Sequence, residues 1–289
     1  MARRPLVTIA VVLALGIGAG ACGGGDDDAV EAPPRDTSTT AASGPTTAPA
    51  TSPPGSTPPG TVTPDAQGVA LDIAFLRGDL IGVAHRRVAP TRAVARAALE
   101  QLVAGPDATE RAAGLRSTIR PDTSITGLTI SDGVATVVLS PEIGRGDSDV
   151  TASQARGQVV FTLTQFPTVE SVRFGPGGPT VSRDDFAAIT PNILVESVAP
   201  GDRIASPVEI AGENRTFENN VRMRVLGADR RILADTFTTG TGEMGTWGPF
   251  RASVPFTKGS DTTGYVVVFD SSAKDGSMID LVEIPVRFA

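Results

Sequence analysis

From Gly23 to Gln67 the chain has almost no large apolar residue, and this stretch decides where a fold can form. Asp26-Asp27-Asp28 opens it, Pro, Thr, Ser and Ala fill it, and Pro33-Pro34, Pro53-Pro54 and Pro58-Pro59 punctuate it. Such a segment cannot bury enough surface to offset the entropy of ordering it. Residues 22–67 are therefore expected to act as a tether, and folded matter is expected from residue 68 onward. About 45 residues span roughly 40 Å as a flexible coil, or up to about 130 Å stretched in polyproline conformation. The Thr and Ser residues are candidate sites for O-linked sugars.

The tether follows a secretory signal. Arg3-Arg4 form a basic head, Leu6 to Ala21 an apolar run, and Ala19-Gly20-Ala21 a small-residue cleavage site. That order marks residues 1–21 as a signal peptide. The apolar run is shorter than the roughly 20 residues that cross a bilayer comfortably. Cys22, the sole cysteine, comes next. This arrangement resembles the lipobox of bacterial lipoproteins, with Ala19 where leucine is usual. Cys22 is expected to carry a diacylglyceryl group and anchor the chain to the membrane. The rest of the chain then lies outside the cytoplasm.

Charge and composition narrow the partners. The formal net charge is −7, and removing Arg3 and Arg4 takes it to about −9. A chain this acidic has no general pull toward nucleic acid or anionic lipid. One cysteine allows no disulfide within the chain, so stability must come from packed cores. Aromatic residues make up 4%, with one Trp and one Tyr, which argues against a platform of stacked rings for sugars.

Two folded segments are expected. In the first, residues 68–183, Leu71, Ile73 and Phe75 alternate on one face of a strand. Thr91 can cap a helix running to about Val103, with Val94, Ala98 and Leu102 on its apolar stripe and Gly105-Pro106 as its stop. Asp132-Gly133 turns a hairpin between strands near 123–130 and 134–139. Ala152, Ala155, Val159, Leu163 and Phe166 set a second helix over about 151–165, and a strand follows at 169–174. The order β-α-β-β-α-β predicts a small α/β sandwich. In the second segment, residues 191–289, about seven short β-rich runs alternate with turn clusters. That pattern predicts an immunoglobulin-like β-sandwich without the cysteine pair of antibodies. The fold class is α+β.

Sequence motifs carry a family resemblance. Ala97–Pro106 (AALEQLVAGP), Gly127–Ser140 (GLTISDGVATVVLS) and Gln158–Phe174 (QVVFTLTQFPTVESVRF) resemble the GerMN domain. Pro200-Gly201-Asp202, Ser206-Pro207-Val208, Ala211-Gly212, Phe217-Glu218, Gly248-Pro249-Phe250 and Val267–Ser277 (VVFDSSAKDGS) resemble Gmad2, an immunoglobulin-like domain found beside GerMN. The resemblance implies an extracytoplasmic, envelope-associated protein without known catalysis, and it implies no particular partner.

The catalytic inventory is thin. His85, the sole histidine, sits beside Arg86-Arg87 and reads as a solvated loop residue after the first strand. No zinc ligand set exists, and Asp147 and Asp149 lack the spacing of a calcium loop. No metal or cofactor is expected. Arg145-Gly146-Asp147 matches an adhesion tripeptide, but three residues recur by chance, and Gly175-Pro176-Gly177-Gly178 reads as a turn. Asp184-Asp185 read as a solvated hinge between the segments, and Trp247 as cover for a core edge. The loop bearing Ser272, Lys274 and Asp275, with Asp275-Gly276 at its corner, is the candidate interaction loop. Its Ser and Lys do not have the spacing of Ser/Lys hydrolases. The sequence favours a lipid-anchored, non-catalytic adaptor that docks an envelope protein and possesses modules able to self-associate. The alternative is a binding module for a cell-wall polymer, with a weak wall hydrolase as a remote variant.

Overall fold

The computed structural model describes residues 68–289 apart from Arg145 and Met244. The signal, Cys22 and the tether lie outside the described residues. The described residues belong to one compact unit.

Strands β1 (Val69–Arg77) and β2 (Leu80–Val88) form a hairpin in full register, Val69 opposite Val88 and Arg77 opposite Leu80. Its two-residue turn is Gly78-Asp79, and Gly78 takes φ +60°, a conformation open to glycine. Helix α1 (Val94–Val103) follows, then α2 (Ala108–Ala112) and β3 (Leu115–Arg116), which adds to the other edge of β1. Thr91 Oγ1 accepts the Ala93 N–H at 3.0 Å, yet the helix starts at Val94 without a side-chain cap.

Strands β4 (Ser124–Ser131) and β5 (Val134–Ser140) turn on Asp132 (φ 52°) and Gly133 (φ 76°), as a type I′ hairpin requires. Helix α3 (Asp149–Leu163) is capped by Ser148, whose Oγ accepts the Thr151 N–H. It leads to β6 (Ser171–Phe174), parallel to β5, and β7 (Thr180–Val181) closes a four-stranded sheet in the order β4-β5-β6-β7. Helices α1 and α3 pack on each other and on β1, while α1 also reaches β4 and α3 reaches β6. Leu71, Ile73 and Phe75 join Leu99, Leu102, Val159 and Leu163 in one core. Where β3 ends, α3 seals the bare edge of β1. Thr162 Oγ1 accepts the Ala74 N–H at 3.0 Å, and the Gln165 side chain accepts the Asp72 N–H (2.9 Å) and donates to its carbonyl (2.6 Å).

The first segment is thus α+β as expected, but richer in strands than β-α-β-β-α-β. The polar run Ala84-His85-Arg86-Arg87 belongs to β2 and not to a loop. The Asp184-Asp185 hinge is also corrected. Both carboxylates are exposed, but they sit in a 3-10 turn (Arg183–Phe186) whose backbone is tied down. Phe186 and Ile189 are buried in the first core, and the Ile81 N–H donates to the Ile189 carbonyl at 2.8 Å. Gly157 of α3 makes room for them, since a Cβ there would collide with Ile189 Cδ1.

The second segment is a two-sheet sandwich. One sheet runs β13-β10-β8, with β8 (Ile193–Val195), β10 (Val208–Asn214) and β13 (Gly248–Val254). The other runs β12-β11-β14-β15-β9, with β9 (Arg203–Ile204), β11 (Asn220–Gly227), β12 (Ile232–Thr239), β14 (Thr263–Ser271) and β15 (Met278–Phe288). Strand alternation places Val221, Met223 and Val225 of β11 in the core with Ile210, Phe250 and Val268. It turns Arg222 and Arg224 outward, over the Phe269 ring.

Candidate functional site

The candidate loop joins β14 to β15. Its turn forms as the Asp-Gly pair requires: Gly276 has φ 72°, and its N–H donates to the Ser272 carbonyl at 2.8 Å. Asp275 Oδ1 accepts from the Ser277 N–H (3.1 Å) and hydroxyl (2.7 Å). Those bonds hold the Asp275 carboxyl below the usual carboxylate range. The three candidate residues share this turn, where Ser272 Oγ accepts the Lys274 N–H at 3.2 Å, but only one of them borders a groove. Ser272 lines a surface groove of about 720 Å³, whereas Lys274 and Asp275 are not among its lining residues.

This groove departs from an ordinary polar surface. Phe217 and Phe237 line it at 67% and 66% exposure, with Ile279 also exposed beside them. Glu218, Asn220, Arg222, Asp270 and Ser271 supply charged or hydrogen-bonding groups to the same lining. Solvent-exposed aromatic rings grouped on a folded surface mark places where another molecule is bound. The sequence motifs included Phe217 and Asp270 without assigning them a site. Phe237 was signalled by its place in β12, an aromatic ring at an outward position between threonines.

A second cluster of titratable groups lies where the two segments meet. The His85 Nδ1–H donates to Asp202 Oδ2 at 2.7 Å, and the Nε2–H donates to the Glu196 carbonyl at 2.8 Å. Both partners are acceptors, so this geometry needs the doubly protonated ring. Burial alone would lower the His85 pKa. The Asp202 hydrogen bond and charge, the Glu196 carbonyl and the Asp72 carboxylate at 3.5 Å outweigh it and raise the pKa above the ordinary value. Arg183 reaches Glu196 at 3.2 Å and Glu213 at 3.6 Å, and its guanidinium lies over the Phe161 ring. Burial pushes the Asp72 and Glu196 carboxyls up. His85 and Arg183 are held by Asp202, Glu196 and Glu213 across the junction, so the cluster fastens one segment to the other.

This fastening should depend on pH. The folded-state pKa of His85 lies above its unfolded value, so its contribution is full below about pH 6.5 and is lost as pH rises through the folded value. His85→Gln should cost about 1–2 kcal/mol in urea denaturation at pH 6, with the deficit shrinking toward pH 9. Glu196 titrates in both proteins, so the difference reports His85 together with the Asp72 carboxyl that the His85 charge pulls down. A deficit that stays constant across that range would contradict the doubly protonated geometry.

The remaining sequence candidates do not converge. Cys22 lies outside the described residues, as does Arg145 of the tripeptide. Asp149 sits in the first turn of α3, and Gly175–Gly178 turns from β6 to β7. Trp247 is half-buried, with the Arg215 guanidinium over its ring at 5.2 Å. Among the described residues no group of three or more His, Cys, Asp or Glu is placed to hold a metal ion, and no helix is long and apolar enough to cross a membrane.

Two family models match the chain, one in each segment. Residues 75–181 match the Germane family, described as sporulation and spore germination. Residues 192–277 match Gmad2, described as the immunoglobulin-like domain of bacterial spore germination. Among solved structures, the first GerMN domain of the sporulation protein GerM from Bacillus subtilis is similar at 18% identity and a TM-score of 0.31, covering 40% of this chain and 95% of that one. The tandem GerMN domains of the same protein are similar at 11% identity and a TM-score of 0.32, covering 65% of this chain and 62% of that one. No curated protein matches the chain.

Proposed function

We propose that this GerMN plus Gmad2 domain protein is a lipid-anchored envelope adaptor that binds a protein partner without catalysing a reaction. The observation that carries this reading is the groove of the second segment, where Phe217 and Phe237 stand exposed on a packed sandwich. A rigid scaffold lets such rings bind with little ordering cost. The titratable cluster at the junction supports the same reading, since its side chains are engaged in holding the segments together. Diacylglyceryl-Cys22 fixes the chain to the membrane, and the tether lifts the folded unit into the envelope. The matched families, described in terms of sporulation and germination, set the broad biological context.

The double variant Phe217→Ala/Phe237→Ala tests this. Both side chains are surface residues, so stability should change by no more than about 0.5 kcal/mol. Covalent crosslinking in intact cells should recover a protein adduct from the parent chain and about tenfold less from the variant, as expected for loss of two aromatic anchors. Equal yields, or an adduct consisting of wall polymer, would sink the reading.

A further inference from the structure

The walls of the groove are apolar, and its floor is acidic. Asp270 of β14 lines it and is only 8% exposed. Among the described residues, the one hydrogen bond to its carboxylate comes from the Ser271 N–H, 2.7 Å from Oδ1, and no cationic side chain is paired with it. Burial pushes the Asp270 carboxyl up, the Ser271 N–H opposes this, and Asp280 and Glu218 push it further up. Arg222 lines the groove but is committed elsewhere. It bonds to Asp235 at 3.1 Å and lies over the Phe269 ring. Burial works against it, yet Arg224 and Arg222 together hold the Asp235 carboxyl below its usual range. Among the described residues, the Asp270 and Glu218 charges are therefore left without a counterion.

The rim is also unusual. Glu218 and Asn219 are successive non-glycine residues with left-handed backbone, at φ 64° and 55°. That conformation is unfavourable for Glu218, whereas asparagine tolerates it, so at Glu218 it persists only where the surroundings impose it. It lies directly beside exposed Phe217 and places the Glu218 carboxylate on the groove.

Building on the adaptor reading, we propose that this groove seats a lysine or arginine side chain from an extended segment of the partner protein. Charge complementarity selects this occupant: Asp270 and Glu218 supply the countercharge. The faces of Phe217 and Phe237 attract a cation, and Ile279 offers apolar surface to its methylene stem. A buried carboxylate that lacks a counterion in the free protein gains most from a partner that brings one.

The test uses the full chain in non-ionic detergent and three fluorescein-labelled peptides, Ser-Val-Xaa-Val-Ser amide with Xaa as Arg, Gln or Glu. The Arg peptide should bind about tenfold tighter than the Gln peptide, the size of one charge-assisted bond, and the Glu peptide weakest. Asp270→Asn should abolish the preference. Glu218→Gln, at an exposed position, should reduce it about threefold and guards against misfolding of the buried variant. Equal binding of Arg and Gln peptides, no binding of any peptide, or a preference that survives both variants would overturn the proposal. So would a dimer, seen by sedimentation, that Phe237→Ala dissolves, because the groove would then belong to a second copy. If the peptide preference fails while the cellular adduct still depends on Phe217 and Phe237, only the cationic occupant is wrong. If the adduct fails, the adaptor reading itself falls.

Discussion

A Cys22→Ser variant should be recovered almost entirely in the soluble fraction, whereas the parent chain should pellet with membranes and resist a salt wash. Serine has no thiol on which a thioether-linked diacylglyceryl group can form. Each buried acyl methylene contributes about 0.8 kcal/mol to membrane binding, and two chains hold a protein where one does so only marginally. Losing both chains removes nearly all of the affinity, because the chain carries a net negative charge and gains nothing from anionic headgroups. The melting temperature should not change, since residues 68–289 contain no cysteine. A variant that still pellets after the salt wash would contradict anchorage through Cys22.

Glu110→Ala should destabilise the fold by about 3–5 kcal/mol, the cost of leaving a buried charge without its partner. The Glu110 side chain is 4% exposed and that of Arg86 is 13% exposed. Arg86 donates Nε to Oε1 at 3.1 Å and Nη2 to Oε2 at 2.6 Å, a bidentate pair. It also donates to the carbonyls of Gln101 (2.9 Å) and Gly105 (2.8 Å), and its guanidinium lies 5.4 Å from the Phe75 ring centre. Glu110 accepts the Asp107 N–H in return for a cap on its own N–H, so the same carboxylate caps the start of α2. One ion pair thus ties β2 to the end of α1 and the start of α2. Urea denaturation should show a lower midpoint at unchanged slope. Arg86→Met/Glu110→Leu should recover much of the loss, since apolar residues of similar volume often replace a buried pair at little cost. A loss below about 1 kcal/mol for Glu110→Ala would show that the pair is not buried as described.

Arg86 also shows why part of the fold was hidden in the sequence. Where structure depends on neighbours in the chain, the residues reveal it. Asp132-Gly133 dictates its own turn, and the alternation of Val221, Met223 and Val225 dictates which face of β11 is buried. The run Ala84–Arg87 looks like a loop because three of its four residues are polar. Their partners explain their place in a strand. His85 meets Glu196 and Asp202, more than 100 residues away, and Arg86 meets Glu110 across a helix. The local signal that did exist was Gly78-Asp79, a two-residue hairpin turn between apolar runs. The junction followed the same logic. Asp184-Asp185 suggested a hinge, while the residues that fasten it, Phe186 and Ile189, find their niche only over Gly157 of α3.

The candidate site was legible to a similar degree. The Ser272 loop could be found because Asp275-Gly276 marks a turn. Its chemistry could not, because Lys274 and Asp275 fall outside the groove and the residues that matter come from separate segments. Phe217, Phe237, Asp270 and Ile279 are brought together only when β11, β12, β14 and β15 pair in one sheet.

The central claim is that this groove is where the protein meets a protein partner. A photoreactive phenylalanine analogue placed at Phe237 in the full chain tests it most directly. Irradiation of living cells should give one discrete protein adduct, lost when Phe217→Ala is added and absent when the analogue replaces exposed Thr129 on β4. An adduct no stronger at Phe237 than at Thr129, or one that contains only wall polymer, would contradict the account.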